Sequence, residues 1–159
     1  MLTTYRICKT KYAAAMFDGE GAFLYGGRWN SPRCARLLYT AESLSLAALE
    51  MLVHLNDEEI LSAYSFATTE FSEDLVLPVE KFQTLPENWS ASPPPLEIQK
   101  IGDKWARGAV SAVLHVSTSV LPVEFNYLIN MEHPDFSKVK LGEPQTFSFD
   151  ERLFKKKYD

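Results

Sequence analysis

The stretch ARLLYTAESLSLAALEMLVHL, residues 35–55, passes from a short apolar run into a long helical pattern, and that change of period decides the class of fold. Ala35 to Tyr39 reads as a strand. Thr40 stands where a helix cap belongs, with Glu42 in the first turn, where a negative charge meets the positive end of the helix dipole. The helix is expected to run to about Leu55. Working outward, Tyr5 and Arg6 lie in a first strand, and the aromatic and threonine residues of Ala63 to Phe71 predict another, as do Leu75 to Val79. LPENWSASPPP, residues 85–95, is too rich in proline and small polar residues for regular structure and reads as a long surface loop. Pro95 is placed to open a helix through Trp105, and Gly108 to end it. Ala109 to Val116 and Phe125 to Ile129 read as strands, and Phe147 and Phe149 alternate with polar residues. Strands and helices are mixed without a regular alternation. That pattern predicts an α+β fold, a single domain over residues 1–159 with mixed or antiparallel sheets and flanking helices.

Composition narrows the function. The chain has 159 residues, 46% hydrophobic and 23% charged, enough for one proper core without staples. Its 16 basic and 21 acidic residues leave a net charge of -5, so no overall positive field draws in nucleic-acid phosphates. Nowhere does the chain run the ~18 apolar residues needed to span a bilayer, and a cytoplasmic protein with no membrane partner is expected. Cys8 and Cys34 belong to no CxxC pair or Cys/His cluster, and either a disulfide or a reducing compartment accounts for them. His54, His115 and His133 show no zinc-ligand spacing, so no metal is expected. Neither GxGxxG nor GxxxxGK[ST] occurs, and a nucleotide site has to be built without a phosphate-cradling glycine loop.

Three features carry possible chemistry. Glu50 is the only carboxylate between Glu42 and Asp57 in a helix apolar almost all the way round; it either reaches a cleft, pairs with a cation, or lies on the helix's one wet stripe beside His54. GGRWN, residues 26–30, sets the five-donor cation of Arg28 beside Trp29 in a glycine turn, which suits an anion or a plain structural turn. Ser117, Thr118 and Ser119 place three hydroxyls at the end of a strand. They occur without a GxSxG elbow or triad ordering, and so read as binding groups or as local turn makers.

Together these segments carry a resemblance. Tyr5-Arg6, DGEGAFLYGGRWNSPRCARLLYTAESLSLAALEMLVHL, VSTSVLPVEFNYLINMEHPDF and FSFDERLF, in that order, resemble the RES domain, the toxin of Xre-RES toxin–antitoxin systems, over nearly the whole chain. The family is named for an arginine, a glutamate and a serine. The resemblance implies a fold like that of ADP-ribosyltransferases and an enzyme that consumes NAD as substrate, with no separate cofactor. It puts the family's arginines on Arg6 and Arg28, its tyrosine on Tyr39, its glutamate on Glu50 and its asparagine on Asn126. An ungapped match puts Thr118 at the family serine, with Ser117 in place of a proline; a small shift brings in Ser119. Met131 stands where the NxxHPDF-like stretch usually has proline.

On this footing Arg28, Tyr39, Glu50 and Thr118 or Ser119 are the expected catalytic residues, and Arg6, Arg28, Tyr39, Ser117 and Asn126 the expected NAD contacts. Arginine suits the pyrophosphate, a carboxylate suits the oxocarbenium-like charge that develops when nicotinamide leaves, and an aromatic face suits the nicotinamide ring. The expected activity is NAD glycohydrolysis. Transfer of ADP-ribose to a protein or phosphate, or a weakened NAD- or antitoxin-binding module, are the alternatives. The resemblance also implies an Xre-like helix-turn-helix antitoxin as partner, in a homodimer or larger complex.

Overall fold

In a computed structural model, which describes residues 1–56, 59 and 62–154, one eight-stranded mixed sheet organises the chain. Residues 57, 58, 60, 61 and 155–159 of the expected domain lie outside the described residues. The strands are β1 (Leu2–Lys9), β2 (Leu37–Ala41), β3 (Tyr64–Phe71), β4 (Val76–Pro78), β5 (Val113–Ser117), β6 (Phe125–Asn130), β7 (Lys140–Leu141) and β8 (Gln145–Phe147). Their order is β4-β5-β6-β2-β1-β3-β7, with β8 also on β3. Among the described residues only β4 and β5 pair in parallel, which requires a crossover, and the segment from α3 (Val79–Phe82) through α4 (Leu96–Arg107) provides it. The α+β class with a mixed sheet and flanking helices is what the sequence pattern predicts.

Alternation along the strands sorts the core onto two faces. On one face Leu37, Leu114, Val116 and Leu128 pack with Ile98, Ile101, Trp105 and Ala106 of α4. On the other, Leu38, Val113, Tyr127 and Ile129 pack with Phe71 and Val139. Helix α4 is amphipathic in the usual way, with Lys100, Lys104 and Arg107 exposed opposite its buried stripe. Pro95 and Gly108 flank it as expected, and the buried indole of Trp105 is satisfied by Ser111 Oγ at 2.8 Å. The chain then turns through Ala109, whose φ of 44° puts it in the left-handed region, so β5 begins at Val113 rather than Ala109. Residues 85–95 form no helix or strand, but Trp89 packs against the α4 side of the core.

Helix α2 (Leu44–Leu52) is shorter than the sequence suggested. Thr40 does not cap it: Thr40 is an inner residue of β2, and the cap is Ser43, whose hydroxyl accepts from the Leu46 N–H at 3.1 Å. The strand takes precedence because Leu37 to Ala41 pair residue by residue with β6. Glu42 instead accepts the backbone N–H of Phe125 at 3.2 Å. Leu46 and Ala47 seat α2 against Ile7, Ala41 and Tyr64, which turns Glu50 toward the far end of β5 and β6.

A seam crosses the sheet at its centre. Strands β1 and β2 share a single registered pair, Tyr5 with Ala41, whereas β1 pairs with β3 over its whole length. Side chains close the gap. Thr40 donates to the Tyr127 carbonyl at 3.0 Å and Thr4 donates to Thr40 at 2.8 Å. A hydroxyl has one proton to give, so Thr69 must be the donor in its 2.6 Å bond with Thr4. This buried threonine chain runs across four strands.

Candidate active site

Glu50, on the last full turn of α2, receives two hydrogen bonds on one carboxylate oxygen. The Thr118 hydroxyl and the Asn126 side-chain N–H both donate to Oε1, the latter at 2.7 Å. Oε2 takes no hydrogen bond from the described residues, and the oriented carboxylate therefore has one oxygen available for a ligand. Thr118 is 2% exposed, and its oxygen also accepts the Val120 N–H at 3.1 Å, which fixes the rotamer that aims the hydroxyl at Glu50. Asn126 pairs with Ala41 on one side and Val116 on the other, so its amide is set by the sheet. With its nitrogen committed to Glu50, its buried Oδ1 has no partner among the described residues.

Across from this cluster stands the arginine turn. Gly26, at φ 70°, lets the chain leave α1 (Glu20–Tyr25) sharply, and Gly27 bridges to Asn30. A Cβ on Gly27 would lie 2.6 Å from the Tyr39 hydroxyl, so glycine is required for the turn to reach that ring. Tyr39 donates to Asn30 Oδ1 at 2.6 Å and accepts the Trp29 N–H at 3.2 Å, and burial pushes its phenol well above the ordinary range. Tyr39 thus ties β2 to the turn through its hydroxyl.

Arg28 donates one Nη1 to the carbonyls of Trp89 at 3.1 Å and Ala91 at 2.9 Å, so the 85–95 loop roofs it. Its Nε and Nη2 make no hydrogen bond with the described residues. Burial pulls Arg28 below its ordinary value, and the negative charge of Glu50 opposes that pull. A cation with free donors and a carboxylate with a free oxygen are the complement of a ligand that carries phosphate at one end and hydroxyls at the other.

The structure brings together Arg28, Tyr39, Glu50, Thr118 and Asn126 of the expected set. It does not bring in the others equally. Ser117 pairs with Phe125 on β6, one residue out of step with the Val116–Asn126 pair, so it shares a face with His115 and points away from Asn126. Ser119 makes no hydrogen bond with the described residues, and Thr118 alone of the three hydroxyls meets Glu50. Arg6 sits at the seam, where Nε donates to the Met16 carbonyl at 2.9 Å and Nη1 to the Tyr39 carbonyl at 3.0 Å. Desolvation lowers its pKa, opposed by Cys8 and Asp18. Its donors hold the backbone of the residue whose ring reaches the arginine turn. Cys8 and Cys34 are not bonded to each other.

Sequence reasoning missed Asn30, Gln99 and Asp103. Gln99 of α4 donates to the carbonyls of Gly27 at 2.9 Å and Asn30 at 3.3 Å, and Asp103 accepts the Ser31 N–H at 2.8 Å. The only local trace is that these two polar residues flank Gly102, on the helix stripe that faces the core. Among the described residues no group of three or more histidine, cysteine or acidic side chains is arranged to hold a metal ion, and no helix is long and apolar enough to cross a membrane.

Comparison with known proteins places this geometry in context. The RES domain family model matches residues 3–150. A "Toxin Res" of Yersinia enterocolitica is 37% identical over 150 residues, covering 94% of this chain and 97% of that protein. A "Toxin Res" of Photorhabdus laumondii is 36% identical over 155 residues, covering 96% and 97%. A "Prs ADP-ribosylating toxin" of Sphingobium sp. is 33% identical over 147 residues, covering 91% of each. Among solved structures, a chain of the M. tuberculosis MbcT-MbcA toxin-antitoxin complex superposes with a TM-score of 0.71 at 18% identity, covering 96% of this chain and 86% of that one. That likeness is one of fold.

Proposed function

The chain belongs to the RES domain family, and from that premise we propose that it is the toxin of a toxin–antitoxin pair, an enzyme that cleaves the nicotinamide–ribose bond of NAD. The observation that carries the reading is the Glu50 carboxylate, oriented through one oxygen by Thr118 and Asn126 with the other left for substrate. Arg28 takes the pyrophosphate with its uncommitted Nε and Nη2, while Trp89 and Ala91 hold its Nη1 in place. As the bond between ribose and nicotinamide breaks, its electron pair goes to the ring nitrogen, which loses its positive charge. The charge passes to the ribose as an oxocarbenium ion, and Glu50 stabilises it there. Water then adds to the ribose carbon and releases a proton. The products are nicotinamide and ADP-ribose.

Tyr39 serves as a fixed wall. Its hydroxyl is spent on Asn30 and Trp29, so it offers a ring face and the placement of the arginine turn rather than a proton. Arg6 acts from behind, through the Tyr39 carbonyl. An antitoxin is the partner of this reading; the excess of acidic residues suits one carrying basic residues.

Nicotinamide release by the purified chain, freed of any partner, tests the proposal. Wild type is expected to release nicotinamide and ADP-ribose in equal amounts, and folded Glu50→Ala and Arg28→Ala variants to lose at least ~100-fold, the scale of one preorganised electrostatic contact. Release that survives both substitutions refutes the assignment. The Sphingobium relative's name supports a second reading, in which ADP-ribose passes to a protein acceptor after the same bond breaks. Nicotinamide released without free ADP-ribose, in the presence of cell extract, selects it.

A further inference from the structure

Of the chain's glycines, the one pressed closest by its surroundings is Gly102, where α4 meets the arginine turn. A Cβ built on Gly102 would lie 1.6 Å from the Trp29 carbonyl oxygen, far inside any contact that packing can absorb. Three residues before Gly102, Gln99 donates its amide to the carbonyls of Gly27 and Asn30; one residue after it, Asp103 accepts the Ser31 N–H. Positions i, i+3 and i+4 share one helix face, so these residues form a single grip. What they hold is backbone on both sides of Arg28. Gly27 precedes it, and Trp29, Asn30 and Ser31 follow it. Helix α4 is itself anchored in the core by Ile98, Ile101 and Trp105, which makes it a rigid platform.

We propose that Gln99, Gly102 and Asp103 are positioning residues that set where the Arg28 guanidinium stands relative to Glu50. None of them donates to or accepts from Arg28 or Glu50, so they act through the turn. Displacement of a binding group by about 1 Å costs on the order of 100-fold in a preorganised site; without the grip the turn keeps Tyr39, the packing of Trp29 and the Asn30 bond to the Ala22 carbonyl but loses its hydrogen bonds to α4, and part of that displacement is then open to it. The grip falls on the pyrophosphate end of the site, and its loss therefore weakens substrate binding more than it slows the bond-breaking step. The catalytic part of this inference rests on the NAD reading above; the mechanical part does not.

The test uses the purified chain with Gln99→Met, Asp103→Ala and Asp103→Asn. Methionine keeps the size and helix preference of glutamine without its donors, and asparagine keeps the oxygen that accepts from Ser31. Hydrogen exchange of the amides of residues 27–31, thermal melting, and KM and kcat for nicotinamide release are followed together. Gln99→Met and Asp103→Ala are expected to speed exchange in the turn about tenfold and to raise KM about tenfold with kcat within about threefold, as one hydrogen bond of ordinary worth dictates. Asp103→Asn is expected to match wild type in both. Exchange and KM unchanged in the first two variants, or Asp103→Asn behaving as Asp103→Ala, overturns the proposal. So does faster exchange with KM unmoved. A wild-type chain that releases no nicotinamide sinks the NAD reading, and the exchange arm alone then decides whether α4 holds the turn.

Discussion

Thr118 is the sharpest place to test the site, because it alone of the three neighbouring hydroxyls meets Glu50. Thr118→Val removes the hydroxyl and keeps the branched shape. The hydroxyl donates to Glu50 Oε1, and hydrogen bonds to charged groups contribute about 1.5–3 kcal/mol. At about 1.4 kcal/mol per decade, nicotinamide release should fall by up to roughly 10- to 150-fold, the full figure applying where the bond's worth is realised only in the transition state. Asn126 still donates to the same oxygen at 2.7 Å, so the expected loss lies toward the lower end, and the double variant Thr118→Val/Asn126→Ala should approach Glu50→Ala. Thr118→Ser restores the donor and should stay within about threefold of wild type, since the lost methyl is worth about 1 kcal/mol of burial and little else. The assay is steady-state nicotinamide release, with melting curves to establish folding. Two results refute the reasoning: full activity in Thr118→Val, or equal losses in Thr118→Val and Thr118→Ser. In the first case, a loss in Ser119→Ala moves the role to Ser119.

Gly27→Ala puts a methyl 2.6 Å from the Tyr39 hydroxyl, so the ring or the turn must give way; activity should fall at least tenfold and the melting temperature should drop, and a variant equal to wild type in both contradicts the packing described. Burial, with the Asp103 hydrogen bond and charge behind it, pushes the Cys34 thiol from 9.0 up to about 11. The unfolded thiol therefore loses its proton first, so its contribution to stability is complete below pH 9.0 and is lost as pH rises toward about 11. Denaturant melts of wild type and Cys34→Ala across that window should converge at its upper end, and parallel curves exclude the effect.

The chain's own pattern determined most of the frame. Elements whose register depends on neighbours in sequence, such as β3, α4 with its Pro95 and Gly108 boundaries, and β6, follow from periodicity and end signals. Glu50 stood out because a lone carboxylate in an apolar helix needs a partner, and GGRWN because paired glycines and an arginine announce a turn with donors to spare. Tertiary structure decided the rest. Thr40 lost its capping role to Ser43 because five residues of β2 pair with β6, a competition invisible to local preference. The hydroxyl that meets Glu50 was settled by sheet parity and by contacts 68 and 76 residues apart along the chain. Arg6 became a clamp of the seam because β1 and β2 part after one pair, and its guanidinium reaches the Tyr39 carbonyl of β2 while also holding the Met16 carbonyl. The hold of α4 on the arginine turn was the least legible of all, since a glutamine, a glycine and an aspartate on a helix say nothing alone. Their meaning comes from the backbone that the fold presses against them, and long-range proximity is the one quantity a linear pattern does not encode.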